Sequence, residues 1–315
     1  MNKNNKVKMP PALCPGDHIA IVSPASVVKA DYVNGMAERI KERGFEPLIM
    51  PYSLGHPRGS YSADRAFRIK DIQTALKDTD IKAIFCARGG YGCVQLLPHL
   101  DLELVADNPK WIIGFSDVSA LLALWYKAGI ASIHGPMAKH LSQMAPDDPC
   151  TNALFNILEN SGRFDYLFPS GGASRNGLAH GILRGGNLAV LNGLAATPYD
   201  ILSIGDENED VILFFEDISE PIYAIERMLW RLSLSGSLRK VKGLIFGQFT
   251  EYQPDKNFQT VEDMVSYWLD KMDIANDIPV VFNFPIGHVD LNFPLTVGAT
   301  VELEVQSEKV RLHTL

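Results

Sequence analysis

Short apolar strands alternate with amphipathic helices through the first half of the chain, which predicts an α/β fold built on a parallel sheet with helices on both faces. Two of those strands end in glycine-containing turns, RGGYG and GFSD. Sheets of this kind bind ligands just outside their strand C-termini. A Gly/Ser/Pro-rich stretch then interrupts the pattern, and mixed strands with fewer helices follow it. That change predicts a second domain of α+β or barrel-like type.

Residues 18–23 (HIAIVS) form the first apolar run, and 31–43 is an amphipathic helix ended by Gly44. Residues 46–50 read as the next strand. Ser62 is the expected cap of a helix reaching Lys77, with Ala66, Phe67, Ile69, Ile72 and Leu76 as its apolar positions. Strand 81–87 leads into RGGYG and a short helix, and 111–115 and 130–134 complete the sheet. The stretch FDYLFPSGGASRNG reads as a linker, so the domains are expected at 1–162 and 179–315 with 163–178 between them. In the second domain, 181–187 runs into a helix of small residues and 211–215 is a strong strand. Residues 221–232 form a helix with Pro221 at its first position. Strand 242–248, helix 261–271, strand 280–284 and a hairpin of 300–305 with 310–313 close the chain.

The chain has 315 residues, 46% hydrophobic and 21% charged, with a net charge of −8. An acidic balance argues against nucleic acid as a partner. The four cysteines form no CxxC pair and no zinc-like spacing, so reduced thiols and no metal are expected. The first residues carry lysines but no continuous apolar core, which predicts no secretory leader and a cytoplasmic protein. No run of about 18 apolar residues occurs, so no membrane span is expected.

Three residue types across the two halves suit acyl-transfer chemistry. Ser116 follows an apolar strand and precedes an apolar helix, a geometry that lifts a hydroxyl above the sheet edge; a plain helix cap is the alternative. Glu216 ends the run 211–215, where a buried carboxylate needs a partner; Asp217 and Glu220 are rivals, and an ion pair with Arg227 or Arg231 is the other account. His288 lies on a Gly-His turn past strand 280–284, and His134 is the rival base. A serine at its free pKa needs an imidazole to take its proton and a carboxylate to fix that imidazole. The N–H of Asp117 and one from Gly89-Gly90 can hold the oxyanion. No GxxxxGK[ST] or GxGxxG is present, and RGGYG is alternatively a tight turn.

Taken in order, PGD at 15–17 with IAIVSPAS, ARGGYGC at 87–93, IIGFSD at 112–117, HGP at 134–136, GGN at 185–187, FFEDISE at 214–220, IERML at 225–229 and PIGH at 285–288 resemble the LD-carboxypeptidases. These are muramoyltetrapeptide carboxypeptidases, serine peptidases of the S66 type, and the similarity runs nearly end to end. The resemblance implies a flavodoxin-like N-terminal domain and a smaller β-rich, swivelling barrel-like C-terminal domain. It implies a Ser116–His288–Glu216 triad, favouring His288 over His134 and Glu216 over Asp217. It also implies an oxyanion hole from the amides of Asp117 and Gly90, no cofactor, no metal, and a homodimer. The implied reaction releases the terminal D-alanine of a murein tetrapeptide in the cytoplasm during cell-wall recycling. Arg88, Tyr91, Arg184 and Arg227 are the residues expected to contact substrate, the arginines as partners for its terminal carboxylate. Two alternatives stand beside this one. One is a microcin C immunity-type hydrolase of aminoacyl-sulfamoyl nucleotides, with Phe164, Tyr166 and Phe168 offered for base stacking. The other is a ligand-binding protein without catalysis.

Overall fold

Five parallel strands organise the first half of the chain: β1 (His18–Val22), β2 (Glu46–Ile49), β3 (Ile81–Cys86), β4 (Trp111–Gly114) and β5 (Ser132–His134). Their order is β2-β1-β3-β4-β5, the flavodoxin-like order, and the strand Leu295–Val297 adds antiparallel to β5. The order of strand addition reverses beside β1, and sheets of this kind bind ligands outside the strand C-termini at such a switch point. Every residue of β4 and five of the six in β3 are buried, which is why these strands read as continuous apolar runs. The helices are α1 (Ala30–Glu42), α2 (Arg65–Lys77), α3 (Leu102–Asp107), α4 (Ser119–Lys127), α5 (Ala138–Gln143) and α6 (Pro149–Glu159).

The computed structural model describes residues 7–204, 209–272 and 274–315; residues 1–6, part of the segment read for a leader, lie outside these. Two compact units are present: Met1–Arg163 with Phe293–Val297, and Phe164–Asn292 with Gly298–Leu315. Among the described residues no helix is long and apolar enough to cross a membrane.

Some expectations for the first unit are corrected. Ser62 does not cap α2, because its hydroxyl donates to the Ser23 carbonyl at 2.5 Å. Asp64 is the cap, its side chain accepting the Ala66 N–H at 3.2 Å. The buried stripe of α2 holds Arg68 and Asp71 beside Ile72, Ala75 and Leu76, while Phe67 is 41% exposed. RGGYG leads into two single 3₁₀ turns, Cys93–Gln95 and Leu97–His99, instead of a helix.

The second unit is built on a seven-stranded sheet. Its strands are β6 (Asp165–Pro169), β7 (Gly177–Asn187), β8 (Val211–Ile218), β9 (Val241–Thr250), β10 (Val280–Val281), β12 (Thr300–Val305) and β13 (Lys309–Thr314); Leu295–Val297, which pairs in the first unit, is β11. The order is β10-β9-β8-β7-β12-β13-β6, parallel from β10 to β7 and antiparallel beyond. The helices α7 (Leu188–Asn192), α8 (Ile222–Leu234) and α9 (Val261–Leu269) complete the unit.

The stretch read as a linker contains β6, which pairs with β13 from Lys309↔Pro169 to His313↔Asp165. Phe164 and Tyr166 face inwards and Asp165 and Leu167 outwards, a period-2 strand beside a Gly/Ser-rich turn. Strand β8 runs on to Ile218, so Glu216 and Asp217 lie within it and not beyond it. Pro221 is the cap before α8 instead of its first residue.

Candidate active site

Ser116 stands at the exit of β4, where Phe115 is still extended and a 3₁₀ turn, Ser116–Val118, feeds directly into α4. Its φ is +61°, a left-handed value that side chains rarely adopt. Strain of this kind, concentrated on a serine between a strand and a helix, is the geometry of a nucleophile elbow. The loop after β3 lies against it. A Cβ built on Gly89 would stand 3.0 Å from Ser116 Cβ, 3.2 Å from its Oγ and 3.2 Å from the Asp117 amide. Only glycine lets main chain come that close to the hydroxyl and the first helical N–H. Gly90, next along, has φ +100° and packs on Ser26, whose hydroxyl also accepts the Tyr91 N–H at 3.2 Å.

The Asp117 side chain is turned away from solvent (4% exposed), and its Oδ2 accepts the Cys93 N–H at 2.8 Å. Burial pushes this carboxyl above its usual range, while hydrogen bonds from Cys93 and Gly92 and the charge of Arg68 pull the other way. Nothing in the sequence marked Arg68, a cation on the inner face of an indistinct helix.

In the second unit, Glu216 on β8 is fully buried, and its Oε2 meets His288 Nδ1 at 2.8 Å. The contact follows from an irregularity between β8 and β9. Phe215 pairs with Phe246 and Asp217 with Phe249, so β9 carries one extra residue opposite Glu216. Released from the ladder with β8, Gln248 donates its N–H to Ile286 at 2.9 Å and draws the PIGH segment alongside. Gly287 has φ +119°, and a Cβ there would stand 2.9 Å from Glu216 Cβ. Asn292 Oδ1 accepts the Gly287 N–H at 2.9 Å and holds the turn. A carboxylate on Nδ1 selects the tautomer with its proton on that nitrogen, leaving Nε2 as the acceptor.

Asp217 has other work. Its oxygens accept from Asn187 Nδ2 at 3.0 Å, Ile218 N–H at 2.9 Å and Ala189 N–H at 2.8 Å, which places it at the start of α7. Burial and the adjacent Glu216 raise its pKa to about 6. The rival base His134 is fully buried at the end of β5, its ring edge-on to Phe115 at 5.7 Å between centroids.

Of the residues expected at substrate, Arg88 and Tyr91 are exposed beside the Ser116 elbow; Arg88 donates to the Val27 carbonyl, and Tyr91 is tilted against Tyr61. Arg184 is buried on β7 and paired with Glu209, and Arg227 is exposed on α8 over the Tyr223 ring. Phe164 and Tyr166 are buried and stacked 4.9 Å apart, so they are core residues and not a platform for a base. Phe168 packs edge-on against Phe284. Among the described residues, His140, Asp148 and Cys150 have metal-ligand spacing, their donor atoms within 4.8 Å. Asp148 is already the cap of α6, its Oδ2 accepting the Thr151 N–H at 2.7 Å and pairing with His140 at 2.8 Å.

A family profile for the LD-carboxypeptidase N-terminal domain matches residues 19–135, and one for the LD-carboxypeptidase C-terminal domain matches residues 180–303. A murein tetrapeptide carboxypeptidase from Pseudomonas aeruginosa is 30% identical over 299 residues, covering 91% of this chain and 92% of that protein. The crystal structure of a muramoyltetrapeptide carboxypeptidase from Oxalobacter formigenes superposes with a TM-score of 0.81 at 29% identity, over 94% of this chain and 98% of the other. A microcin C7 self-immunity protein in complex with aspartyl sulfamoyl adenosine has a TM-score of 0.82 at 22% identity, over 98% and 99%, a likeness of fold alone.

Proposed function

Since the chain belongs to the LD-carboxypeptidase family, we propose that it removes the terminal D-alanine from a murein tetrapeptide, with Ser116, His288 and Glu216 as its triad. The observation that carries this reading is the pairing of a buried carboxylate with an imidazole in the second unit, in a chain whose first unit holds a serine at positive φ.

Ser116 Oγ attacks the carbonyl of the third substrate residue as His288 Nε2 takes its proton. Glu216 keeps the ring oriented and offsets the charge that forms on it. The tetrahedral oxyanion accepts from the amides of Asp117 and Gly90, each worth about 3–4 kcal/mol of barrier. Collapse expels D-alanine, which takes the proton from His288, and a water deprotonated by the same ring releases the acyl-enzyme. Arg88, exposed on the loop whose Gly89 lies against Ser116, is the cation assigned to the substrate carboxylate. Arg184 already has Glu209 as an ionic partner. The reaction belongs in the cytoplasm, on recycled wall fragments, with the protein acting as a homodimer.

The test offers tetrapeptide and an aminoacyl-sulfamoyl adenosine side by side, with mass spectrometry of the products. Loss of one alanine from the tetrapeptide, absent in Ser116→Ala, supports the reading. Cleavage of the sulfamoyl substrate alone assigns the chain to the immunity-type reaction, and turnover of neither leaves a binding protein.

A further inference from the structure

The peptide group between Gly92 and Cys93 is held from both ends by buried charges of opposite sign. Its carbonyl accepts from Arg68 Nη1 at 3.1 Å, and its N–H donates to Asp117 Oδ2 at 2.8 Å. Both charged residues are almost fully buried, Arg68 at 2% exposure and Asp117 at 4%. Arg68 is a junction in its own right: Nη1 also donates to Pro24 at 2.7 Å, Nε to Ala63 at 3.2 Å and Nη2 to Gln95 Oε1 at 2.8 Å. The guanidinium lies 4.9 Å over the Tyr61 ring, and position 92 needs glycine twice over, with φ at +135° and a Cβ there only 2.6 Å from Arg68 Nη1.

Burying a carboxylate and a guanidinium is costly, and apolar residues of similar volume would pack this position at least as well. What the charges add is orientation, since charge-assisted hydrogen bonds on both ends of one peptide fix its direction. That peptide closes the loop whose Gly89 lies against Ser116. The carboxylate belongs to the residue immediately after Ser116, whose own amide is the first oxyanion donor in the proposed function.

We propose that Asp117 and Arg68 are positioning residues that clamp the Gly92–Cys93 peptide, so that loop 88–92 and its amide donor are held in register with the Ser116 elbow. This rests on the assignment of Ser116 as nucleophile. One side chain then ties the second donor to the first, and neither the Asp117 carboxylate nor the Arg68 guanidinium needs to touch substrate. A shift of about 1 Å in such a donor costs on the order of 100-fold in rate.

The experiment compares wild type with Asp117→Ala, Asp117→Asn and Arg68→Lys. It measures kcat and KM on tetrapeptide and the rate at which a fluorophosphonate labels Ser116, with circular dichroism to check folding. Asp117→Ala is expected to lower both kcat and labelling by about 100-fold with KM changed by less than about threefold. Asp117→Asn, whose amide oxygen still accepts from Cys93, recovers most of the loss. Arg68→Lys keeps the charge without the fork and falls between, which decides the matter if the alanine variant does not fold. Folded variants that label and turn over like wild type overturn the clamp while leaving Ser116 in place. Wild type that neither labels nor releases D-alanine overturns the nucleophile assignment, and the clamp with it.

Discussion

Glu216 and Asp217 are adjacent on β8 and both buried, yet their oxygens hold different things. Glu216 meets a histidine, whereas Asp217 meets an asparagine side chain and two backbone amides at the start of α7. Composition and spacing left the two open, because β8 is buried on both faces from Val211 to Asp217 and no alternation marks which way a residue points. Glu216→Gln is expected to fold and to lose about 10³–10⁴-fold in kcat, since the imidazole loses the carboxylate that orients it. Asp217→Asn acts instead on stability. The Asp217 pKa is raised from 3.8 to about 6, so between those values the folded chain binds a proton that the unfolded chain has lost. Its contribution to stability is therefore greatest below about pH 4 and falls as pH rises through about 6. Denaturant titrations of both proteins at about pH 4.5 and about pH 7 check this: wild type loses stability relative to the variant at the higher pH, because asparagine does not titrate. A gap independent of pH contradicts it.

At the scale of elements, the PIGH turn shows how a short segment places a base. The extra residue in β9 frees Gln248 to bond the Ile286 carbonyl, and Gly287 then passes close enough to Glu216 for the next residue to reach it. Gly287→Ala demands φ +119° of alanine and a Cβ 2.9 Å from Glu216 Cβ. It is expected to lower kcat by more than about 100-fold while the sheet signal in circular dichroism persists; unchanged kcat contradicts this placement of His288. The long apolar strands of the first unit were legible because burial on both faces makes them continuous runs. Strand β6 was not, since its five residues alternate weakly beside FPSGG, and β11 has only three residues and no period to read. The face of α2 was misjudged for a related reason. Arg68 and Asp71 occupy its inner stripe, and a charged residue buried for its hydrogen bonds looks like a surface residue in sequence.

Across the whole molecule the chain divides into two units, and the segment Phe293–Val297 returns to the first after most of the second is complete. Such a return is invisible to local patterning, because β11 finds its partner β5 about 160 residues away and no nearby strand announces it. Fold class was legible; strand order and this crossing were not, although the likeness of ARGGYGC, IIGFSD, FFEDISE and PIGH to one family implied the architecture as a whole. The proposed triad inherits the same division, with Ser116 in one unit and the Glu216–His288 pair in the other. Side chains that act as one unit lose their effects together and not in sum. A kinetic cycle of wild type, Ser116→Ala, His288→Ala and the double variant on murein tetrapeptide therefore tests directly whether the two halves share one reaction. The double variant is expected to be no slower than either single one. Losses that multiply, with the double variant slower by the product of the two, would mean that serine and histidine act independently and that no triad exists.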